Sequence, residues 1–74
     1  MAGTAAAEVG RTVRAELARR GHSQGWLAKR LGLTQTGVSR RISGKTPFDV
    51  EELLATAAAL DMDVHDLLPK AAAA

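Results

Sequence analysis

The chain has 74 residues, which is enough for one small domain with a core of marginal size. It contains no cysteine, which excludes disulfides and thiolate metal sites, and no apolar run approaches the roughly 18 residues of a membrane span. The net charge is only +2, but residues 1–48 sum to +7 (nine basic, two acidic groups) and residues 49–74 sum to −5 (one basic, six acidic groups).

Alanine, leucine and charged residues dominate, with almost no alternation of β-branched or aromatic residues. This composition predicts an all-α fold, and the helix signals taken along the chain predict a compact bundle of about five short helices. The first predicted helix runs from about residue 5 to residue 20, after a disordered segment 1–4. Val9, Val13 and Leu17 recur at i, i+4 and i+8 and form its apolar face. Gly21 ends it, and we expect this helix to serve as scaffold.

A second short helix is predicted between Ser23 and Gly32. Ser23 is a good N-cap, because its hydroxyl can accept a hydrogen bond from a free backbone N–H of the first turn. Leu27, Ala28 and Leu31 form one apolar stripe. Gly32 ends the helix, because a left-handed backbone conformation costs little without a Cβ.

A third helix follows after a tight turn. Thr34 is the predicted N-cap, Val38 and Ile42 lie one turn apart on the inner face, and Gly44 ends the helix. The small side chain of Ala28 lets the second and third helices approach closely. This spacing predicts a helix-turn-helix.

The segment resembles the DNA-binding helix-turn-helix of the phage Cro and cI repressors and their bacterial relatives, the XRE type. The flanking helices extend the resemblance to nearly the whole chain, which implies a lambda-repressor-like fold. Two positions depart from the family pattern: Arg41, where many relatives carry an apolar core residue, and Gly25, where a charged helix former is usual. Ile42 can take the core role one position later. The matching features are Gln24, Ala28, Leu31, Gly32, Val38, Ser39 and Gly44-Lys45.

The resemblance implies that the helix at 35–43 enters the major groove, where its N-terminal residues and one outward face meet base edges. The side chains predicted to contact bases are Gln35, Thr36, Ser39 and Arg40. Glutamine can bond adenine and arginine can bond guanine in a bidentate way. Phosphate contacts, which set the register without carrying sequence information, are predicted for Gln24, Arg41, Ser43, Lys45 and Thr46.

Other candidate chemistry is weak. His22 has no partner at ligand spacing and is predicted to be an ordinary loop residue, and Trp26 is predicted to cover the edge of the core, with a contact to the DNA backbone as the alternative. The run at 44–46 resembles the end of a P-loop, but Ser39 stands where that motif requires glycine, and a helix precedes the run instead of a strand. We therefore predict no enzyme, no catalytic residue, no metal, no cofactor and no small-molecule ligand.

The fourth predicted helix has the clearest start signal in the chain. Asp49 is the N-cap with Glu52 at position N3, and Phe48 can pack onto Leu53 as a hydrophobic staple. The helix is predicted to end near Leu60. Its predicted buried stripe is Val50, Leu53, Leu54, Ala57 and Leu60.

A last short helix is predicted at 64–68, capped by Asp63. Its apolar residues Val64, Leu67 and Leu68 either finish the core or form a small surface for a weak homodimer. Residues 70–74 are predicted to be a flexible tail, which leaves residues 5–69 as the DNA-binding domain.

The basic half of the chain coincides with the helix-turn-helix, as expected for a protein that binds a polyanion. We therefore predict sequence-specific binding of double-stranded DNA for transcriptional regulation, by repression through operator occupancy as the family implies. The expected location is the cytoplasm, in association with the nucleoid. The alternative is a protein-interaction module of antitoxin or anti-repressor type on the same scaffold, for which Gln35 and Arg40 would be dispensable.

Overall fold

The computed structural model describes residues 4–70, which form four α-helices and one 3₁₀ helix. The helices are α1 (Thr4–Arg20), α2 (Gln24–Leu31), α3 (Gln35–Ser43) and α4 (Val50–Ala59), and the 3₁₀ helix is Val64–Leu67. The prediction of about five short helices is confirmed, the last being 3₁₀ in form. Apart from Thr4 and Lys70, the predicted disordered segment and tail lie outside the described residues. None of the described helices is both long and apolar enough to cross a membrane.

The predicted start and stop signals are formed as side-chain and backbone contacts. Ser23 Oγ accepts a hydrogen bond of 3.0 Å from the N–H of Trp26 at the start of α2. Gly32 ends α2 with a φ of 68°, the left-handed conformation expected there. At α4, Asp49 Oδ1 accepts from the N–H of Glu52 at 2.7 Å, and Glu52 Oε1 accepts from the N–H of Asp49 at 3.1 Å. The capping box is therefore reciprocal.

All five elements contribute to one core. α1 packs against α3 and the 3₁₀ helix, while α2 packs against both α3 and α4. The predicted apolar face of α1 is buried in full. The buried apolar residues are Val9, Val13, Leu17, Leu27, Ala28, Val38, Ile42, Phe48, Ala57, Leu60 and Leu67.

The C-terminal end of α3 meets α1 at very short range. A Cβ on Gly44 would stand 2.9 Å from the Cα of Ala7, so only glycine fits there without a shift. Gly44 also has a φ of 87°, which again favours glycine. This contact seats the end of α3 on the α1 scaffold.

The predicted buried stripe of α4 is partly wrong. Val50 and Leu54 are 71% and 51% exposed, and Thr56, which was not in the stripe, is fully buried. At about 100° per residue, Leu54 lies roughly 110° from the centre of the face formed by residues 53, 56, 57 and 60. The helix is apolar on more than one side, so its periodicity does not identify the inner face. Leu53, Ala57 and Leu60 do pack in or against the core.

The 3₁₀ helix completes the core through Leu67. Leu67 is fully buried, so it is not available to a second copy, and the predicted dimer contact at Leu67 is wrong. Val64 and Leu68 are half-buried. The side chain of Asp63 caps this helix by accepting from the N–H of His65 at 2.9 Å, as expected for an N-cap.

Candidate nucleic-acid interface

One face of α3 carries the polar side chains predicted to contact bases. These residues, Gln35, Thr36, Ser39 and Arg40, are all exposed. At about 100° per residue they span roughly 140° of the helix surface. Val38 and Ile42 lie on the adjoining face, centred roughly 110° away, and are buried. The core contacts of these two residues therefore hold the four polar side chains outward.

The start of α3 is fixed by the turn before it. Thr34 Oγ1 accepts a hydrogen bond of 3.0 Å from the N–H of Gly37, as predicted for the N-cap. Leu33 is half-buried and packs against the core between the two helices. The first residues of α3 thus have a defined direction relative to α2.

A cleft of about 520 Å³ lies between α2 and the start of α3. A Cβ on Gly25 would stand 3.4 Å from Gln35 Oε1, an ordinary van der Waals distance, so the Gln35 amide lies directly beside the α2 backbone. The residues lining the cleft are Ser23, Gly25, Trp26, Ala28, Lys29, Leu33 and Gln35. The N-terminus of α2 at this cleft is a position that favours anions.

The remaining phosphate candidates, Arg41 excepted, lie at two ends of the motif. Gln24 is the first residue of α2 and is half-buried. After α3, the N–H groups of Lys45 and Thr46 both donate to the carbonyl oxygen of Arg40, at 3.0 and 3.2 Å. Ser43 Oγ donates to the same oxygen at 2.9 Å. This turn is therefore ordered around the Arg40 carbonyl, with the Lys45 side chain exposed beside it.

Arg41 has a different position from the other predicted phosphate ligands. Its Nε and Nη2 donate to Oε1 and Oε2 of Glu52, at 2.8 and 3.1 Å, and its Nη1 donates to the carbonyl oxygen of Gly37 at 3.0 Å. The two side chains are only 18% and 15% exposed. Arg41 thus lies on the flank of α3 towards α4, away from the exposed polar face.

The ion pair also shifts the pKa of both of its members, Arg41 and Glu52. The hydrogen bonds to Glu52 raise the pKa of Arg41 above its ordinary value, while burial opposes this. The hydrogen bonds from Arg41 hold the pKa of Glu52 below the usual range, and the N–H of Asp49 adds to the effect. Both groups are therefore charged at neutral pH, and their charges are paired.

Sequence reasoning missed an aromatic stack beside the cleft. The rings of His22 and Trp26 lie parallel, with centroids 3.7 Å apart, and the guanidinium of Arg30 lies 4.7 Å from the Trp26 ring. Trp26 packs against the edge of the core, as predicted. His22 is therefore part of a stack. The spacing i, i+4, i+8 of the three residues was the available signal.

The exposed cations cluster on α1 and the helix-turn-helix. Those on these elements or in the turn after α3 are Arg11, Arg14, Arg19, Arg20, Lys29, Arg30, Arg40 and Lys45, and Lys70 is the further exposed cation of the described residues. The acidic residues Asp49 and Glu51 lie at the start of α4, also exposed. Within residues 4–70, no group of three or more His, Cys, Asp or Glu side chains is placed to hold a metal ion. The arrangement suits a large polyanion more than a small ligand.

Known proteins match this chain over most of its length. The helix-turn-helix domain family matches residues 8–69. The restriction-modification controller protein C.AhdI from Aeromonas hydrophila is 27% identical, with a TM-score of 0.78 over 84% of this chain and 94% of that chain. The P22 c2 repressor, solved in complex with a synthetic operator, is 28% identical, with a TM-score of 0.74 over 81% of this chain and 91% of that chain.

A match to an enzyme concerns the fold alone. Hydroxypropylphosphonic acid epoxidase from S. wedmorenis is 21% identical, with a TM-score of 0.81 over 89% of this chain but only 35% of that chain. The sequence has no significant match among curated proteins.

Proposed function

We propose that this chain, which belongs to the helix-turn-helix domain family and has the fold of its Cro/cI-type regulators, binds a specific site on double-stranded DNA and represses transcription by occupying that operator. The proposed binding unit is residues 5–69. In this proposal α3 lies in the major groove, where base edges present distinct donor and acceptor patterns.

The observation that carries the proposal is the division of α3 into two faces. Val38 and Ile42 are buried, while Gln35, Thr36, Ser39 and Arg40 are exposed together. A recognition helix needs this division, because its base contacts require polar side chains held in one orientation. Gln35 and Arg40 have the side chains that can make bidentate bonds to adenine and guanine.

The proposed phosphate contacts frame this face. Gln24 lies at the N-terminus of α2, and Ser43, Lys45 and Thr46 lie in or after the last turn of α3. Contacts at both ends would fix the register of α3 along the groove. The acidic start of α4 would be repelled by phosphates, which restricts the orientations in which the domain can dock.

One similar structure supports a regulatory role for this chain, and another supports repression in particular. C.AhdI is a controller protein of a restriction-modification system, and the P22 c2 protein is a repressor that was solved on operator DNA. Occupation of an operator requires no catalytic group, and a chain with no metal cluster in its described part can carry it out.

The proposal includes binding as a weak homodimer. Two copies would occupy half-sites about 34 Å apart, one helical turn of DNA. Because Leu67 is buried, contacts between copies would use Val64 and Leu68, which remain half-exposed. Sedimentation velocity of the protein on a palindromic duplex and on its half-site measures the stoichiometry directly.

To test this function, duplexes that bind the protein are first selected from a random pool. The affinities for the enriched duplex and for a scrambled duplex are then measured by fluorescence anisotropy at physiological salt. We expect a specificity ratio of roughly 10³ or more. Equal and steeply salt-dependent binding to both duplexes would contradict operator binding and leave only a basic surface. Binding to neither would favour the protein-interaction alternative.

A further inference from the structure

The pair formed by Arg41 and Glu52 is the side-chain link between α3 and α4. In the described part of the chain, α3 packs mainly against α1 and α2, whereas α4 packs mainly against α2 and the 3₁₀ helix. The bidentate ion pair connects two helices that otherwise share few contacts. Without the ion pair, the α4 side of α3 would lose its side-chain hydrogen bonds to α4.

The acceptor in this pair is itself held in place. Glu52 Oε1 accepts from the N–H of Asp49 in the capping box at 3.1 Å and from Arg41 Nε at 2.8 Å. The N–H of Glu52 is bonded in turn to Asp49 Oδ1. The carboxylate is therefore held by the capping box of α4 as well as by Arg41, which gives the planar guanidinium an oriented partner.

The Arg41 guanidinium contacts both its own helix and α4. Arg41 Nη1 bonds the carbonyl oxygen of Gly37 in the first turn of α3, while Nε and Nη2 bond Glu52 on α4. Gly37 directly follows Thr36, one of the proposed base contacts. A rotation of α3 by about 20° would move a side-chain tip, about 6 Å from the helix axis, by about 2 Å. Such a shift is larger than a bidentate hydrogen bond tolerates.

The core does not require arginine at this position. Ile42 and Val38 already fill the inner side of α3, and both are buried. The paired charges also add little to the attraction for phosphate, because the carboxylate lies against the guanidinium. The contribution of the pair is to fix how α3 is oriented relative to α4.

We propose that Arg41 and Glu52 are positioning residues for DNA recognition, which together hold the rotation of α3 at which its exposed face matches the operator. This inference rests on the proposed function. It replaces the expectation that Arg41 is a phosphate ligand, because a guanidinium engaged by Glu52 and Gly37 acts through α3.

The test compares Glu52→Gln with Glu51→Gln, which removes the same charge from the exposed neighbouring residue. Affinities for the enriched and the scrambled duplex are measured well below the melting temperature, where circular dichroism shows that each variant is folded. We expect Glu52→Gln to lose roughly tenfold in affinity for the enriched duplex, with the scrambled duplex changed no more than in Glu51→Gln. Arg41→Lys, which keeps the charge but cannot make the bidentate pair, should show the same selective loss.

A role for Arg41 as a phosphate ligand predicts a different result. If Arg41 were a phosphate ligand restrained by Glu52, then Glu52→Gln would free it, and affinity for both duplexes would rise. That rise would overturn the inference, as would equal behaviour of Glu52→Gln and Glu51→Gln or full specificity in Arg41→Lys. If the unsubstituted protein itself shows no preference for any duplex, the proposed function fails, and this inference fails with it.

Discussion

Gly10 of α1 lies directly against the backbone of Ile42 in α3. A Cβ on residue 10 would stand 2.0 Å from the carbonyl oxygen of Ile42 and 2.9 Å from that of Arg41. Real atoms do not approach so closely, so any larger residue must push the two helices apart. The position of α3 on its scaffold therefore depends on the absence of a side chain in the middle of α1.

Gly10→Ala should lower the free energy of unfolding by about 1–3 kcal/mol, because the overpacking outweighs the better helix propensity of alanine. Urea denaturation followed by circular dichroism measures the change. Gly25→Ala is the matched control, since its Cβ would meet Gln35 Oε1 at an ordinary 3.4 Å. A Gly10→Ala variant as stable as the unsubstituted protein would contradict the close contact.

Two leucines contrast a buried with an exposed position: Leu67 in the 3₁₀ helix, which packs against α4, and Leu54 on α4 itself. Leu67→Ala should cost about 2–5 kcal/mol of unfolding free energy, because Leu67 is fully buried. Leu54→Ala removes the same atoms from a side chain that is 51% exposed, and its cost should stay near or below about 0.5 kcal/mol. Equal losses in thermal and urea denaturation would argue against the burial of Leu67 and the outward position of Leu54.

Acid should weaken the link between α3 and α4. Hydrogen bonds from Arg41 lower the pKa of Glu52 in the folded protein, so its stabilising contribution is present above the unfolded pKa of about 4.3. That contribution is lost as the pH falls through the lower, folded-state pKa. The difference in stability between the unsubstituted protein and Glu52→Gln should therefore shrink as the pH falls below about 4.3.

Glu16 also has a lowered pKa, through hydrogen bonds from Arg19 and Arg20, but it is present in both proteins and cancels in this comparison. Urea denaturation over a pH series gives the difference directly. A stability difference that is independent of pH would show that Glu52 does not contribute through its charge.

Lys45→Ala should weaken binding to the enriched and the scrambled duplex alike and reduce the salt slope by about 1, because a phosphate contact carries no sequence information. Lys70→Ala removes the same charge outside the motif and should leave the slope unchanged. Unaltered affinity of Lys45→Ala at low salt would exclude the phosphate contact.

Most of the fold could be predicted because its signals are local. Ser23, Thr34 and Asp49 each act within three residues, and their hydrogen bonds form as the sequence indicates. The inner face of α4 was harder to predict, because leucine and alanine occur on several sides of that helix. Thr56, although polar, lies fully buried on this face.

In the candidate site, too, features set within one helix could be predicted, and a contact between two helices could not. The outward direction of Gln35 and Arg40 follows from the burial of Val38 and Ile42 one turn apart. The role of Arg41 could not be predicted in the same way. Its partner Glu52 lies eleven residues away on another helix, and their contact depends on how α3 and α4 meet.

Arg40→Ala tests most directly whether the exposed face of α3 contacts bases. The measurement is the affinity of this variant for the enriched duplex and for each of its single base-pair substitutions, beside the unsubstituted protein. We predict a loss of about 1–3 kcal/mol on the enriched duplex and a loss of discrimination at one G·C pair, with the other positions still distinguished. An equal loss on every duplex, the scrambled one included, would show that Arg40 contributes only charge and would contradict contact between this face and the bases.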